Sequence, residues 1–94
     1  MDDNLSEIIE IFTEITDKKD MRRLFEDVFT DAERIDIAKR WYLLKELYKG
    51  TPQRKIAGDM GVSLCKITRG SKILKNDQSL IRQILGEMYD EDHI

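Results

Sequence analysis

Four cations recur at every third position in the stretch KITRGSKILK, residues 66–75, as Lys66, Arg69, Lys72 and Lys75. A helix turns by about 100° per residue, so a threefold spacing moves each cation by about 60° around the axis. The four side chains therefore spread over roughly half of a helix surface. Phosphate oxygens and the acceptor edge of guanine are the groups that such side chains bind in nucleic acids.

The positive charge is concentrated in the middle of a chain whose net charge is −3. Residues 49–75 contain seven Lys or Arg and one Asp, a net charge of +6. Residues 1–20 carry −5, and residues 76–94 carry −4. This distribution is typical of a protein that binds a polyanion through one surface. The alternative is an ordinary solvated helix face.

The composition argues against several other classes of protein. One cysteine, Cys65, cannot form an internal disulfide, and one histidine, His93, does not make a metal cluster. The chain has no apolar run of about 18 residues and begins with the acidic MDDNLSE, unlike a signal peptide. It has no nucleophile–base set and no phosphate loop. We expect a cytoplasmic protein that is not an enzyme, holds no metal and does not enter a membrane.

Helical patterns run along the whole chain, and no strand pattern competes with them. Apolar residues spaced three and four apart form stripes over 5–15, 21–28 and 80–88, with a break at TDKKD, residues 16–20. Thr30 and Glu33 fit a capping box for a long helix over about 31–49, and Gly50 can end it. That helix is apolar on nearly every side. Since 94 residues have little material to cover it, we expect a partner chain.

Residues 53–70, QRKIAGDMGVSLCKITRG, fit two short helices that meet at a turn. Thr51 can cap the first helix, with Pro52 at its first position, and Ser63 can cap the second. Gly61 suits a turn with positive φ. Small Ala57 allows a close crossing, and the apolar corner would consist of Ile56, Met60, Val62 and Ile67. The pattern predicts a helix-turn-helix over about residues 52–75.

In such a motif the second helix lies in the major groove and its N-terminal residues reach the base edges. We therefore expect double-stranded DNA as a partner. The candidate contacts lie at the start of the first helix and along the second: Gln53, Arg54, Ser63, Leu64, Cys65, Lys66, Thr68 and Lys72.

Several segments together resemble the Trp repressor family. They are ITRGS at 67–71 followed by Leu74-Lys75, FTDAER at 29–34, Lys39-Arg40, KELYKG at 45–50 and the helix-turn-helix itself. The resemblance covers about residues 25–90. It implies a single all-α domain over residues 1–94, with about six helices, that forms an intertwined homodimer. It also implies binding to palindromic operators with L-tryptophan as corepressor.

The resemblance implies a ligand site as well. Arg69 would pair with the tryptophan carboxylate and pack on the indole, and Arg40 would pack on its other side. Thr30 would lie at the site from the start of the long helix. Gly70 would let the indole approach the backbone closely. The planar guanidinium of arginine suits both a carboxylate and an aromatic face.

The chain differs from relatives at three positions of this pattern. Ile73 replaces a serine near the ligand, Asp27 replaces an apolar residue, and Lys66 replaces a threonine on the recognition helix. A decarboxylated or deaminated indole is therefore a second candidate ligand, and the operator sequence is open. Two other functions stay open: a helix-turn-helix regulator with another ligand or none, and a dimeric scaffold that binds a protein through its basic face.

Overall fold

The computed structural model describes residues 2–90, and the end of the acidic tail, including His93, lies outside these residues. Six helices follow one another: α1 (Asp2–Glu14), α2 (Lys18–Val28), α3 (Asp31–Tyr48), α4 (Gln53–Met60), α5 (Leu64–Lys75) and α6 (Leu80–Tyr89). Residues 2–90 contain no strand. The predicted all-α fold of about six helices is confirmed. None of the helices in this range combines the length and apolar character needed to span a membrane.

The described chain divides after Ile35, within α3, into two compact units. In the N-terminal unit α1 and α2 meet through Phe12 and Phe25, whose stacked rings have centroids 5.7 Å apart. The break between these helices is shorter than the predicted TDKKD. The Asp17 side chain accepts a hydrogen bond of 3.3 Å from the backbone N–H of Asp20, so α2 already begins at Lys18.

The long helix α3 starts and ends as its sequence predicts. At its start the backbone N–H of Thr30 donates to Glu33 Oε1 at 2.8 Å, and the N–H of Glu33 donates to Thr30 Oγ1 at 3.1 Å. This is the reciprocal capping box. At its end Gly50 has φ +90, and the N–H of Thr51 donates to the carbonyl of Glu46 at 3.0 Å. The left-handed glycine therefore closes α3 in a Schellman motif.

In the C-terminal unit α4 and α5 pack at the predicted corner. Ile56 and Ile67 are completely buried there, and Leu43 of α3 joins them. The core is surrounded by the partly buried Leu47, Ala57, Met60 and Val62. Gly61 adopts φ +66, which only glycine takes readily, and turns the chain from α4 towards α5. The predicted helix-turn-helix is confirmed.

Two of the predicted caps are wrong in detail. The hydroxyl of Thr51 donates to Glu46 Oε1 at 3.1 Å and does not cap α4, because Thr51 is held at the end of α3. Pro52 occupies the N-cap position instead. Ser63 stands at the N-cap of α5, but its side chain makes no capping hydrogen bond.

Candidate ligand cavity and nucleic-acid interface

A cavity of about 280 Å³ lies between α3 and the α4–α5 pair, entirely within the C-terminal unit. Its volume is near the lower end of the roughly 300–1,000 Å³ that small-molecule sites occupy. The cavity is lined by Asp36, Lys39, Arg40, Leu43 and Leu44 of α3, by Met60 and Val62, and by Lys66, Arg69, Gly70 and Ile73 of α5.

The two long walls of the cavity have the same residue spacing. Residues 36, 39, 40 and 43 of α3 stand at i, i+3, i+4 and i+7, and so do residues 66, 69, 70 and 73 of α5. This spacing places four residues on one face of a helix. The local helical period therefore aims both sets into the same space once the helices pack.

Gly70 explains how α5 comes so close to α3. A Cβ atom at this position would lie 3.1 Å from Cδ1 of Leu47 and 3.3 Å from Cδ2 of Leu43. Such distances are shorter than normal contacts between carbon atoms, about 3.5–4.0 Å. The glycine thus serves the packing of the two helices, in addition to forming part of the cavity wall.

The charge of the cavity is strongly positive. Four cations line it, Lys39, Arg40, Lys66 and Arg69, against the single carboxylate of Asp36. Within residues 2–90 none of these five side chains makes a hydrogen bond or an ion pair within 4.0 Å. Clustered unpaired cations repel one another, so an anion would be attracted. The apolar lining suits a ligand with an apolar body.

A second, wider groove of about 580 Å³ borders the start of α4, the end of α5 and Arg82 of α6. Two of its polar side chains, Thr51 and Arg82, are already engaged. The hydroxyl of Thr51 donates to Glu46, and Nη1 of Arg82 donates to the carbonyl of Leu74 at 3.1 Å and to Asp77 Oδ1 at 2.6 Å. The smaller cavity, which gathers five charged side chains without partners in residues 2–90, is therefore the better candidate for a ligand site.

The outer surface of α5 is distinct from the cavity wall. Cys65, Thr68 and Lys72 are exposed, share one helix face by their spacing and line neither cavity. The hydroxyl of Thr68 donates to the carbonyl of Leu64 at 2.9 Å, so its oxygen is partly engaged. The other predicted DNA contacts are also exposed, namely Gln53, Arg54, Ser63, Leu64 and Lys66. An exposed face of this kind could lie in a DNA groove.

The structure brings three of the four predicted ligand residues together: Arg40, Arg69 and Gly70 line one cavity, and so does Ile73. Thr30 and Asp27 belong to the N-terminal unit, where the hydroxyl of Thr30 caps α3. Lys66, expected at DNA, also lines the cavity. Sequence reasoning missed Asp36 and Lys39, although their spacing from Arg40 on a helix could have indicated them.

Within residues 2–90 no three His, Cys, Asp or Glu side chains are grouped to hold a metal ion. The family model described as "Trp repressor protein" matches residues 3–89. No solved structure gives a significant match.

Curated proteins named "Trp operon repressor homolog" are similar to the chain. The one from Chlamydia trachomatis serovar L2 (strain 434/Bu) is 36% identical over 69 residues, which cover 72% of this chain and 73% of that protein. The one from Xylella fastidiosa (strain M23) is 32% identical over 71 residues, covering 74% and 77%. The one from Vibrio campbellii is 35% identical over 71 residues, covering 74% and 71%.

Proposed function

The chain belongs to the Trp repressor family, and we propose that it represses transcription by binding palindromic operator DNA with L-tryptophan as corepressor. The observation that carries the proposal is the cavity between α3 and α5, with Arg40, Arg69 and Gly70 in its walls. The family is a regulatory DNA-binding family and not an enzymatic one. Residues 1–94 form one domain of this type, which acts in the cytoplasm.

In this function the tryptophan carboxylate pairs with the guanidinium of Arg69, and the indole lies between Arg69 and Arg40. Arginine can bind a carboxylate and stack on an aromatic ring at once. Because one wall of the cavity belongs to α5, a bound indole fixes how far α5 stands from α3. The ligand then acts as a wedge that holds the recognition helix in the orientation that DNA needs. Thr30, at the start of α3, is the fourth residue that the family resemblance assigns to the tryptophan site.

The coupling between ligand and DNA has a thermodynamic limit. A ligand shifts the protein only by its differential affinity for the DNA-ready form, typically about 1–3 kcal/mol per site. DNA must then raise the affinity for tryptophan by the same factor.

The two-fold symmetry of a homodimer would match the palindromic symmetry of the operator. In the described chain α3 buries only Leu43 and Leu44, whereas Ile35, Ile37 and Tyr42 remain exposed. A second copy that interlocks with the first would cover these residues. Two recognition helices about 34 Å apart would then enter successive major grooves, at half-sites roughly ten base pairs apart. Their candidate contacts are Gln53, Arg54, Ser63, Leu64, Cys65, Lys66, Thr68 and Lys72.

The decisive experiment titrates duplex DNA from the region upstream of the gene with the dimer, with and without L-tryptophan, at several salt concentrations. We expect binding that tightens with tryptophan and weakens steeply with salt. Steep salt dependence without any effect of tryptophan would instead support a regulator with another ligand or none. Absence of DNA binding under all conditions would support a scaffold that binds a protein through its basic face.

A further inference from the structure

We infer that Asp36 makes the cavity selective for an amino acid, by accepting an ion pair from the ammonium group of the ligand. This inference rests on the proposed function, because it names the group that distinguishes tryptophan from indoles lacking an ammonium group. The resemblance to the family assigns no role to this position.

The composition of the cavity singles out Asp36. It is the only carboxylate among the eleven residues that line the cavity. It stands three and four residues before Lys39 and Arg40, a spacing at which helical ion pairs commonly form. Nevertheless no such pair within 4.0 Å is present in residues 2–90. Both oxygens of Asp36 are therefore available to a ligand.

The position of Asp36 also fits an amino acid. The ammonium and carboxylate groups of an amino acid are attached to the same carbon atom, so they need oppositely charged partners close together. Asp36 lies four residues, a rise of about 6 Å, before Arg40 on the same face of α3. With the carboxylate held by Arg69 and the indole packed on Arg40, the ammonium group would be within reach of Asp36.

The remaining lining offers the ammonium group little else. Ile73, Leu43 and Leu44 have no side-chain acceptor, and the other charged residues are cations. A cation that gives up part of its hydration on binding needs an acceptor in return. With Asp36 present, the ligand meets opposite charges at both of its charged groups. A deaminated indole would keep the carboxylate pair with arginine but would leave Asp36 without a positive partner.

Three ligands test this arrangement by calorimetric titration of the dimer: L-tryptophan, indole-3-propionate, which lacks the ammonium group, and tryptamine, which lacks the carboxylate. The wild type should prefer L-tryptophan over both. Asp36→Asn should weaken L-tryptophan binding about tenfold, equivalent to about 1.4 kcal/mol, while indole-3-propionate binds equally well or better. Asp36 is exposed and unpaired in the described chain, so the variant should keep the thermal unfolding midpoint of the wild type.

Two further variants make the test specific. Glu87→Gln removes an exposed carboxylate of α6 that lines neither cavity and should change no ligand affinity. Asp27→Asn removes the acid of the N-terminal unit that the sequence comparison singled out. If Asp27→Asn removes the preference for L-tryptophan and Asp36→Asn does not, Asp36 is not the ammonium partner.

The outcomes separate this inference from the proposed function. If L-tryptophan binds and tightens DNA binding, yet Asp36→Asn weakens all three ligands alike or none, only the assignment of Asp36 is overturned. If the wild-type dimer binds none of the ligands, the ligand-gated function fails, and this inference fails with it.

Discussion

Gly70 and Leu47 bring α5 and α3 so close together that a Cβ atom at position 70 would press against the leucine side chain. A Cβ atom on Gly70 would lie only 3.1 Å from Cδ1 of Leu47. The backbone of the recognition helix is therefore in direct contact with side chains of α3. Gly70 also lines the candidate ligand cavity, so this contact adjoins that cavity.

Replacing Gly70 by Ala should lower the free energy of unfolding by about 1 kcal/mol, since overpacking a tight contact outweighs the gain in helix propensity. It should also weaken tryptophan binding, because α5 must move away from α3. Gly58→Ala on α4 is the matched control: nothing lies within 4 Å of its Cβ. That change should stabilise the protein by about 0.5–1 kcal/mol. Equal stabilisation by both changes, measured by urea unfolding, would contradict the packing argument.

Lys66 and Lys72 should differ in what they bind. Lys72→Ala should weaken DNA binding and flatten its log–log salt slope by about one unit, as for a lost phosphate contact. It should leave tryptophan affinity unchanged, because Lys72 does not line the cavity. Lys66→Ala should alter both affinities. Anisotropy titrations of operator DNA measure the first affinity, and calorimetry of the ligand measures the second. If both variants changed DNA and tryptophan affinity alike, the distinction between a cavity-lining Lys66 and a DNA-facing Lys72 would be wrong.

Arg69→Ala should weaken tryptophan binding about tenfold to a hundredfold, because it removes the charged partner of the carboxylate. Arg40→Ala should weaken tryptophan binding about tenfold or less, since stacking contributes less than a charged hydrogen bond. Neutral indole, titrated in parallel, carries no carboxylate and should distinguish the two roles. A loss of indole binding in Arg69→Ala as large as the loss of tryptophan binding would argue against a carboxylate contact.

Glu33 should make stability depend on acid pH. The backbone N–H and the side chain of Thr30 hold the pKa of Glu33 below its ordinary value of 4.5. A lowered pKa in the folded state stabilises the protein above the unfolded value, and this contribution is lost as pH falls through the folded value. Gln at position 33 accepts the same hydrogen bond without titrating. As pH decreases from about 7 to 3, the midpoint of thermal unfolding should therefore fall less steeply for Glu33→Gln than for the wild type. The control Glu87→Gln should follow the wild type.

The homodimer should be obligate, so that folding and association are a single event. The midpoint of thermal unfolding should therefore rise with protein concentration. The physical reason is that Ile35, Ile37 and Tyr42 stay exposed on α3 in one chain, as does Leu80 on α6. Analytical ultracentrifugation at micromolar concentration provides the second measurement. A compact folded monomer at that concentration would contradict an obligate homodimer.

Much of the fold could be predicted from the sequence because its determinants are local. The capping box of Thr30 and Glu33 involves neighbours on one turn, and the hydrogen bonds appear as expected. Gly50 and Gly61 adopt the positive φ that their positions predict. Ile56 and Ile67 are buried in the helix-turn-helix because their spacing gives each short helix one apolar face.

The packing of the helices decided what local patterns could not. Periodicity placed four cations around α5, but only the position of α3 determines that Lys66 and Arg69 line the cavity while Lys72 does not. Asp36 and Lys39 read as ordinary exposed charges in the sequence. They line a cavity because Gly70 lets α5 approach α3, and this depends on atoms far apart along the chain. Sequence alone therefore determined the helices, both ends of α3 and the charges, and tertiary contacts decided which of those charges face one another.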